Sequence, residues 1–220
     1  MPLSDGRGQG TIVGLHYDHG VLLAATAGTA GACRIEPLYG HAALAARGDA
    51  AATRLLHTAG VHLPDIRAFS YRFGDIDART LAFAYASGLM QTLLVEPQGF
   101  QVELLVADVG PAPDEPDGPP GRHLYQVEAD GRVTEIGRYA AIGDEASRAL
   151  EDLDDLVRGP LDLDEAALIA LRVLRRAGGG AGRGEPALAG VDDRRHRTRF
   201  YRIPPAAVER AGRLEEVSNR

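Results

Sequence analysis

Residues 11–39 read TIVGLHYDHGVLLAATAGTAGACRIEPLY, and this stretch decides the architecture. Thr11 to Tyr17 is rich in β-formers. Asp18-His19-Gly20 is a turn in which glycine is free to take positive φ, and Val21-Leu22-Leu23 leads the return strand. Small residues alone fill Ala25 to Ala32, a loop or irregular edge. Residues 33–39 can form a short third strand, broken at Pro37.

Outward from the hairpin, residues 41–47 (HAALAAR) fit a strand or a helix by composition alone. Asp49 is placed to cap a helix with Ala50, Ala51, Leu55 and Leu56 on its buried face and Gly60 as its stop, followed by a connection over 61–74 that holds Pro64 and the aromatics Phe69, Tyr71 and Phe73. Asp77 can cap a longer helix to about residue 96. Its face carries Ala78, Leu81, Ala82, Tyr85, Leu89 and Leu93, widened by Phe83 and Met90, and the stripe reads as core. Residues 100–109 alternate as a strand does, and 110–122, with five prolines, is a surface loop. A hairpin over 123–128 and 132–136 and a strand over 139–142 come next. Two antiparallel helices follow, over about 144–158 and 163–177, the second opened by a near capping box at Asp162-x-x-Glu165. A glycine-rich loop, a strand pair over 186–191 and 198–203 and a helix over about 205–214 complete the chain. Runs of strands and pairs of helices kept apart in this way indicate α+β layers rather than βαβ units.

At 220 residues the chain can bury a sizeable core, and its composition, 45% apolar and 25% charged, is ordinary for a soluble globular protein. A net charge of −7 argues against nucleic acid as a partner. Cys33 is the sole cysteine, so no intrachain disulfide can form; a buried small hydrophobe is its expected role in a reducing compartment. The first ten residues are polar and glycine-bearing, unlike a signal peptide, and no apolar run approaches a membrane span of about 20 residues. The cytoplasm is the expected location. All 24 basic residues are arginine, and lysine is absent.

The hairpin resembles the opening of the proteasome-subunit family, N-terminal-nucleophile hydrolases, and is nearest the non-catalytic α-type subunits of bacterial, actinobacterial-type proteasomes. The resemblance continues through AFSYRFGDIDARTLAFAYASGL (68–89), FQVELLVADVG (100–110), HLYQVEADGRV (123–133), AIGDEASRAL (141–150) and TRFYRI (198–203). It implies a four-layer αββα sandwich, two antiparallel sheets flanked by helices. The implied domain spans residues 11–214, between a flexible 1–10 segment and a 215–220 tail. It implies also a seven-membered α ring that caps β-type subunits, gates substrate entry and docks ATPase or other activators through their C-terminal tails, with no cofactor, membrane or nucleic acid involved. Family α subunits carry a helical extension before the first strand; the segment here, with Gly6, Gly8 and Gly10, favours no helix.

Gly10-Thr11 raises the question of catalysis. Catalytic β-type members cleave after a glycine and use the exposed threonine, activated by its own freed amine. They also need a lysine and a second-strand acid. The match of the second strand puts Thr26 at the acid position and Gly10, not Thr11, at the nucleophile. Arg34 stands near the lysine position, but a guanidinium cannot exchange a proton near neutral pH. Thr11 is therefore considered and rejected as a nucleophile, and no catalytic residue is assigned. The resemblance gives Arg34 another role, receiving an activator's C-terminal carboxylate; its alternative is an ion pair with Glu36 on the same strand face. His16-x-Asp18-His19 has metal-like spacing but straddles a turn, so no metal site is assigned. Arg194, Arg195, Arg197 and Arg199 read as a solvated hairpin tip. Two alternatives remain: a β-type or heat-shock-type threonine peptidase using Thr11, and a divergent scaffold outside the proteasome.

Overall fold

The computed structural model describes residues 10–27, 33–68, 77–95, 102–110, 121–177, 184–196, 198–204 and 206–207. The sequence's expectations for the N-terminal segment before Gly10, for Phe69, Tyr71 and Phe73, for most of the C-terminal helix and for the tail lie outside the described residues.

The opening hairpin forms, but its turn is Asp18-His19 alone: β1 (Thr11–Tyr17) pairs antiparallel with β2 (Gly20–Ala27), Tyr17 opposite Gly20. Gly20 is a strand residue that does not take positive φ; a Cβ on it would lie 1.9 Å from the Val191 carbonyl oxygen, so it serves close approach to β9 rather than the turn. β2 runs three residues into the stretch of small residues expected to be loop. β3 (Cys33–Tyr39) and β4 (Ala42–Gly48) form a second hairpin, with β5 (Val102–Asp108) on its far side. Pro37 is tolerated because β3 lies at a sheet edge, where a register shift falls between Pro37 and Tyr39. β6 (His123–Val127), β7 (Val133–Glu135), β8 (Tyr139–Gly143), β9 (Gly184–Asp192) and β10 (Phe200–Ile203) complete two five-stranded antiparallel sheets. Their strand orders are β10-β9-β2-β1-β8 and β3-β4-β5-β6-β7.

The helices pair off by sheet. α1 (Ala50–Ala68) and α2 (Ala78–Val95) cover the β3–β7 sheet; α3 (Ala146–Leu156) and α4 (Leu163–Ala177) cover the other. Side-chain alternation separates three apolar layers. In β1, Ile12 points between the sheets while Val13 and Leu15 face α3 and α4. In β5, Leu105 and Ala107 point between the sheets while Leu104 and Val106 face α2. The result is an αββα sandwich. The expected caps form: the Asp49 carboxylate accepts from Ala51 and Ala52, Asp77 accepts from Thr80 at 2.7 Å, and Asp162 and Glu165 exchange bonds at 2.8 and 3.2 Å in a reciprocal box.

Several expectations fail. Ala51 and Leu55, expected on the buried face of α1, are exposed, and Ala52 and Thr53 are buried there instead. Phe83 and Met90 are about half exposed, because the α2 stripe that meets the sheet is the narrower one formed by Ala78, Leu81, Ala82, Tyr85 and Leu89. Gly60 does not stop α1, which continues to Ala68. Gly60 is buried, and a Cβ there would come within 1.7 Å of the Tyr85 hydroxyl and 2.9 Å of a Leu38 methyl. Its role is close approach between α1 and α2, not termination. Gly60→Ala is expected to destabilise the fold by about 1–3 kcal/mol through overpacking. Tyr85→Phe should restore part of that loss, and a double-mutant cycle by urea denaturation measures the coupling. Additive effects would remove the Tyr85 contact as the cause.

Candidate functional site

The start of β1 is where the family resemblance would place nucleophilic chemistry, and the geometry there is closed. Gly10 has φ +92°, and a Cβ built on it would lie 2.6 Å from the Thr26 Oγ1 and 3.0 Å from the Cys33 Sγ. Neither the backbone angle nor the space admits a threonine side chain. Thr26, at the acid position, serves the backbone instead: its hydroxyl accepts from the Thr11 amide at 2.9 Å and donates to the Thr11 carbonyl at 3.3 Å. Thr11 is paired on its other side with Gly143 of β8 and is 1% exposed. Its hydroxyl is buried, and among the described residues no base is hydrogen-bonded to it.

Arg34 sits on edge strand β3, opposite Ala46, with its side chain 38% exposed. Its ion pair with Glu36 exists but is long, Nη1 to Oε1 3.9 Å. Glu36 is held more closely by Arg202 of β10, whose Nη2 donates to Glu36 Oε2 at 3.0 Å and to the Ile35 carbonyl at 2.8 Å. The Arg34 Nε is buried with no hydrogen-bond partner. Arg34 thus carries a charge that Glu36 only partly balances. The competing role of Arg202 has no local signature, since it lies 166 residues from Glu36.

A family model described as Proteasome subunit matches residues 7–184. The chain is 32% identical over 206 residues to the proteasome subunit alpha of Saccharopolyspora erythraea, covering 92% of this chain and 78% of that protein. It is 33% identical to that of Xylanimonas cellulosilytica and 32% identical to that of Acidothermus cellulolyticus, covering 84% and 86% of those proteins.

The chain belongs to the proteasome subunit family.

In this proteasome-family chain a three-residue clamp, unnoticed in the sequence, closes the same end of the sandwich. Arg47, the penultimate residue of β4, donates from Nη1 to Glu103 of β5 at 2.7 Å and from Nη2 to Asp144, the residue after β8. It ties one sheet to the chain leaving the other, with its own side chain 15% exposed. Both carboxylates take part in this bridge.

The remaining sequence candidates disperse. His16 and His19 are not brought together: His16 Nε2 lies 3.1 Å from the Ile136 carbonyl, whereas His19 meets Asp193 at 3.4 Å. His57 reaches the Pro37 carbonyl at 3.1 Å. Among the described residues no cluster of three or more His, Cys, Asp or Glu side chains is arranged to hold a metal. Cys33 is half-buried beside Gly10 rather than sunk in the core.

The arginine cluster is not a simple solvated tip. Arg194 clamps the Asp192 carboxylate with Nε at 3.2 Å and Nη2 at 2.9 Å, Arg195 stacks over the Tyr201 ring, and Arg199 is buried with its guanidinium on the Val109 and Gly110 carbonyls. Arg197 lies outside the described residues. Asp192 also accepts from the Tyr17 hydroxyl at 2.9 Å, joining β9 to the end of β1. Burial pushes Tyr201 up to about 12, and it raises Tyr17 as well, helped by the neighbouring Tyr201 and Asp192. Burial alone would raise Asp192 too, but the Arg194 and Tyr17 bonds outweigh it and hold the carboxyl below its ordinary value of 3.8. A depressed carboxyl contributes stability above its unfolded-state value and loses it as pH falls through the folded value. Asp192→Asn is therefore expected to cost about 1–2 kcal/mol at pH 7, with the difference from wild type shrinking below about pH 4. Denaturation curves across pH 2–7 check this; a gap that stays constant would show that ionisation of Asp192 contributes nothing.

Proposed function

We propose that this chain is a non-catalytic α-type subunit of a proteasome core particle. In this reading it is cytoplasmic and assembles into an outer ring that adjoins β-type subunits, controls substrate entry and receives the C-terminal tails of an activator. Three kinds of observation support it. The relatives named above are proteasome α subunits, and the chain covers more than three quarters of their length. The position matching the family nucleophile is a glycine with no room for a side chain. Of the large apolar side chains exposed among the described residues, Leu55, Phe83 and Met90 lie on the helices that cover the β3–β7 sheet and Leu150 on α3, and the first three favour that helix pair as an assembly face. The observation that carries most is the first, because only the relatives bear on the α type; the Gly10 geometry adds that the matched position has no room for a nucleophile.

The purified chain should hydrolyse no fluorogenic peptide, and Thr11→Ala should change nothing measurable. Hydrolysis that Thr11→Ala abolishes would overturn the non-catalytic reading. Co-expression with a β-type subunit should give a stacked-ring particle by electron microscopy. A strictly monomeric chain at all concentrations, with or without that partner, would remove the assignment.

Arg34 is the residue proposed to meet the activator's tail carboxylate. The weak Glu36 pair leaves its planar fork available, and a carboxylate can engage that fork through two oxygens. Arg34→Ala should leave folding and assembly intact and weaken tail binding by roughly 1–3 kcal/mol, discounted from a fully buried pair because the side chain is part exposed. Arg34→Lys should retain part of the affinity. Titration of a C-terminal activator peptide, with its amidated form as control, decides; equal binding of acid and amide would exclude Arg34.

A further inference from the structure

At the end of β1 remote from Gly10, a cavity of about 1000 Å³ opens between the β1–β2 turn, the segment entering β6, the β7–β8 turn and the α3–α4 connection. β1 is seven residues long, so this cavity lies roughly 20 Å from Thr11. Its size is in the range of sites that hold small molecules.

Its charge is the reverse of the chain's. In a protein of net charge −7, the lining carries three guanidiniums, Arg122, Arg138 and Arg158, against two carboxylates, Asp18 and Glu135. Each arginine comes from a different segment, and each is steadied by main-chain carbonyls rather than neutralised. Arg122 Nη1 donates to the Tyr17 carbonyl at 3.2 Å. Arg138 Nη2 donates to the Val157 carbonyl at 3.2 Å, and Arg158 Nε to the Asp155 carbonyl at 2.7 Å. Among the described residues none of the three meets a carboxylate at ion-pair distance, in contrast to Arg47, Arg194 and Arg202. A guanidinium has five N–H donors, so each keeps donors and a full charge for another group.

The walls are fixed before any ligand arrives. The His16 amide donates to the Arg138 carbonyl at 2.8 Å and the Asp18 amide to the Leu161 carbonyl at 2.9 Å, which locks the β1–β2 turn to two other walls. The His16 ring must donate from Nε2 to the Ile136 carbonyl, which leaves Nδ1 as an acceptor in the neutral ring. Burial, with Arg122 and His123 nearby, lowers its pKa and keeps it neutral at neutral pH. His123 contacts Glu135 through Nδ1 at 3.7 Å, and its Nε2 is buried without a hydrogen-bond partner. Ile136, Val157 and Leu161 supply apolar wall between the charges.

We propose that this cavity binds a small oxyanion-bearing molecule, an organic phosphate or a polycarboxylate, through the guanidiniums of Arg122, Arg138 and Arg158. Planar forks suit the paired oxygens of either group, and the apolar wall accommodates the organic part. The site does not depend on the function proposed above, since it shares no residue with Arg34 or with the start of β1.

Isothermal titration of the intact chain with AMP, citrate and inorganic phosphate tests this, with adenosine as the uncharged control. Saturable binding of AMP or citrate is expected, weakened at least tenfold in Arg122→Gln and in Arg158→Gln, weakened by added salt, and unchanged in Arg54→Gln on the exposed face of α1. Preference for AMP over citrate, or the reverse, assigns the oxyanion. Circular dichroism confirms that each variant folds; Arg158 is exposed, so its variant stands in if Arg122→Gln does not fold. No saturable binding of any anion at millimolar concentration would overturn the proposal. So would equal binding by wild type and folded variants, or an equal loss in Arg54→Gln.

Discussion

Both sheets of this protein are covered on both faces, and the rest of the structure depends on that double burial. Antiparallel sheets more often keep one face in water. Here each strand must be apolar toward its helices and toward the opposite sheet. In β4, Ala43 and Ala45 meet the other sheet while Ala42, Leu44 and Ala46 meet α1 and α2; in β2, Val21, Leu23 and Ala25 point inward while Leu22 and Ala24 point to α4. Because the side-chain period is two, a slip of one residue would exchange these sets, and the large residues of one layer would meet the space made for small ones. Each fully buried leucine contributes about 1.5–3 kcal/mol. Register is thus enforced from two sides.

A dry centre pushes polar chemistry to the ends of the sandwich. At one end Arg47 bridges Glu103 and Asp144, and the Thr26 hydroxyl fastens the first peptide of β1. Toward the other, Asp192 is shared by Tyr17 and Arg194, and Arg199 lies on the carbonyls that follow β5. Asp108, fully buried at the end of β5, accepts from the Ala78 amide at the start of α2; burial still raises its carboxyl above the ordinary value, although that bond works the other way. Each of these groups closes a join between a sheet and a neighbouring segment.

The two ends differ in what they can do. At the Gly10 end the Thr26 hydroxyl is bound to the Thr11 backbone, Arg47 holds two carboxylates, and Gly10 leaves no room for a side chain. The His16 end keeps a cavity with uncommitted positive charge. Arg34 lies on an edge strand next to Cys33 and the Gly10 end, with its partner carboxylate drawn toward Arg202. A scaffold whose core is uniform can therefore carry distinct surface chemistry at separate places.

The sequence by itself determined whatever acts over a few residues. The Asp18-His19 turn set the first hairpin, Asp49, Asp77 and Asp162 set three helix starts, and a chain with no lysine cannot supply a lysine from any fold. By composition alone residues 41–47 were ambiguous, because a strand buried on both faces loses the alternation that distinguishes it from a buried helix; the family resemblance made them a strand, and β4 is one. Only the tertiary structure decided the rest. Gly60 looked like a helix stop until Tyr85 of α2 was found to fill its space, and Phe83 and Met90 looked like core until the sheet took a narrower stripe. Arg202 came to Glu36, and Arg122, Arg138 and Arg158 came to one cavity, from positions far apart in the chain. Turns and caps are settled by bonds within one or two helical turns of sequence; partners and exposure are settled by which faces the sheets bring together, and no local pattern encodes that.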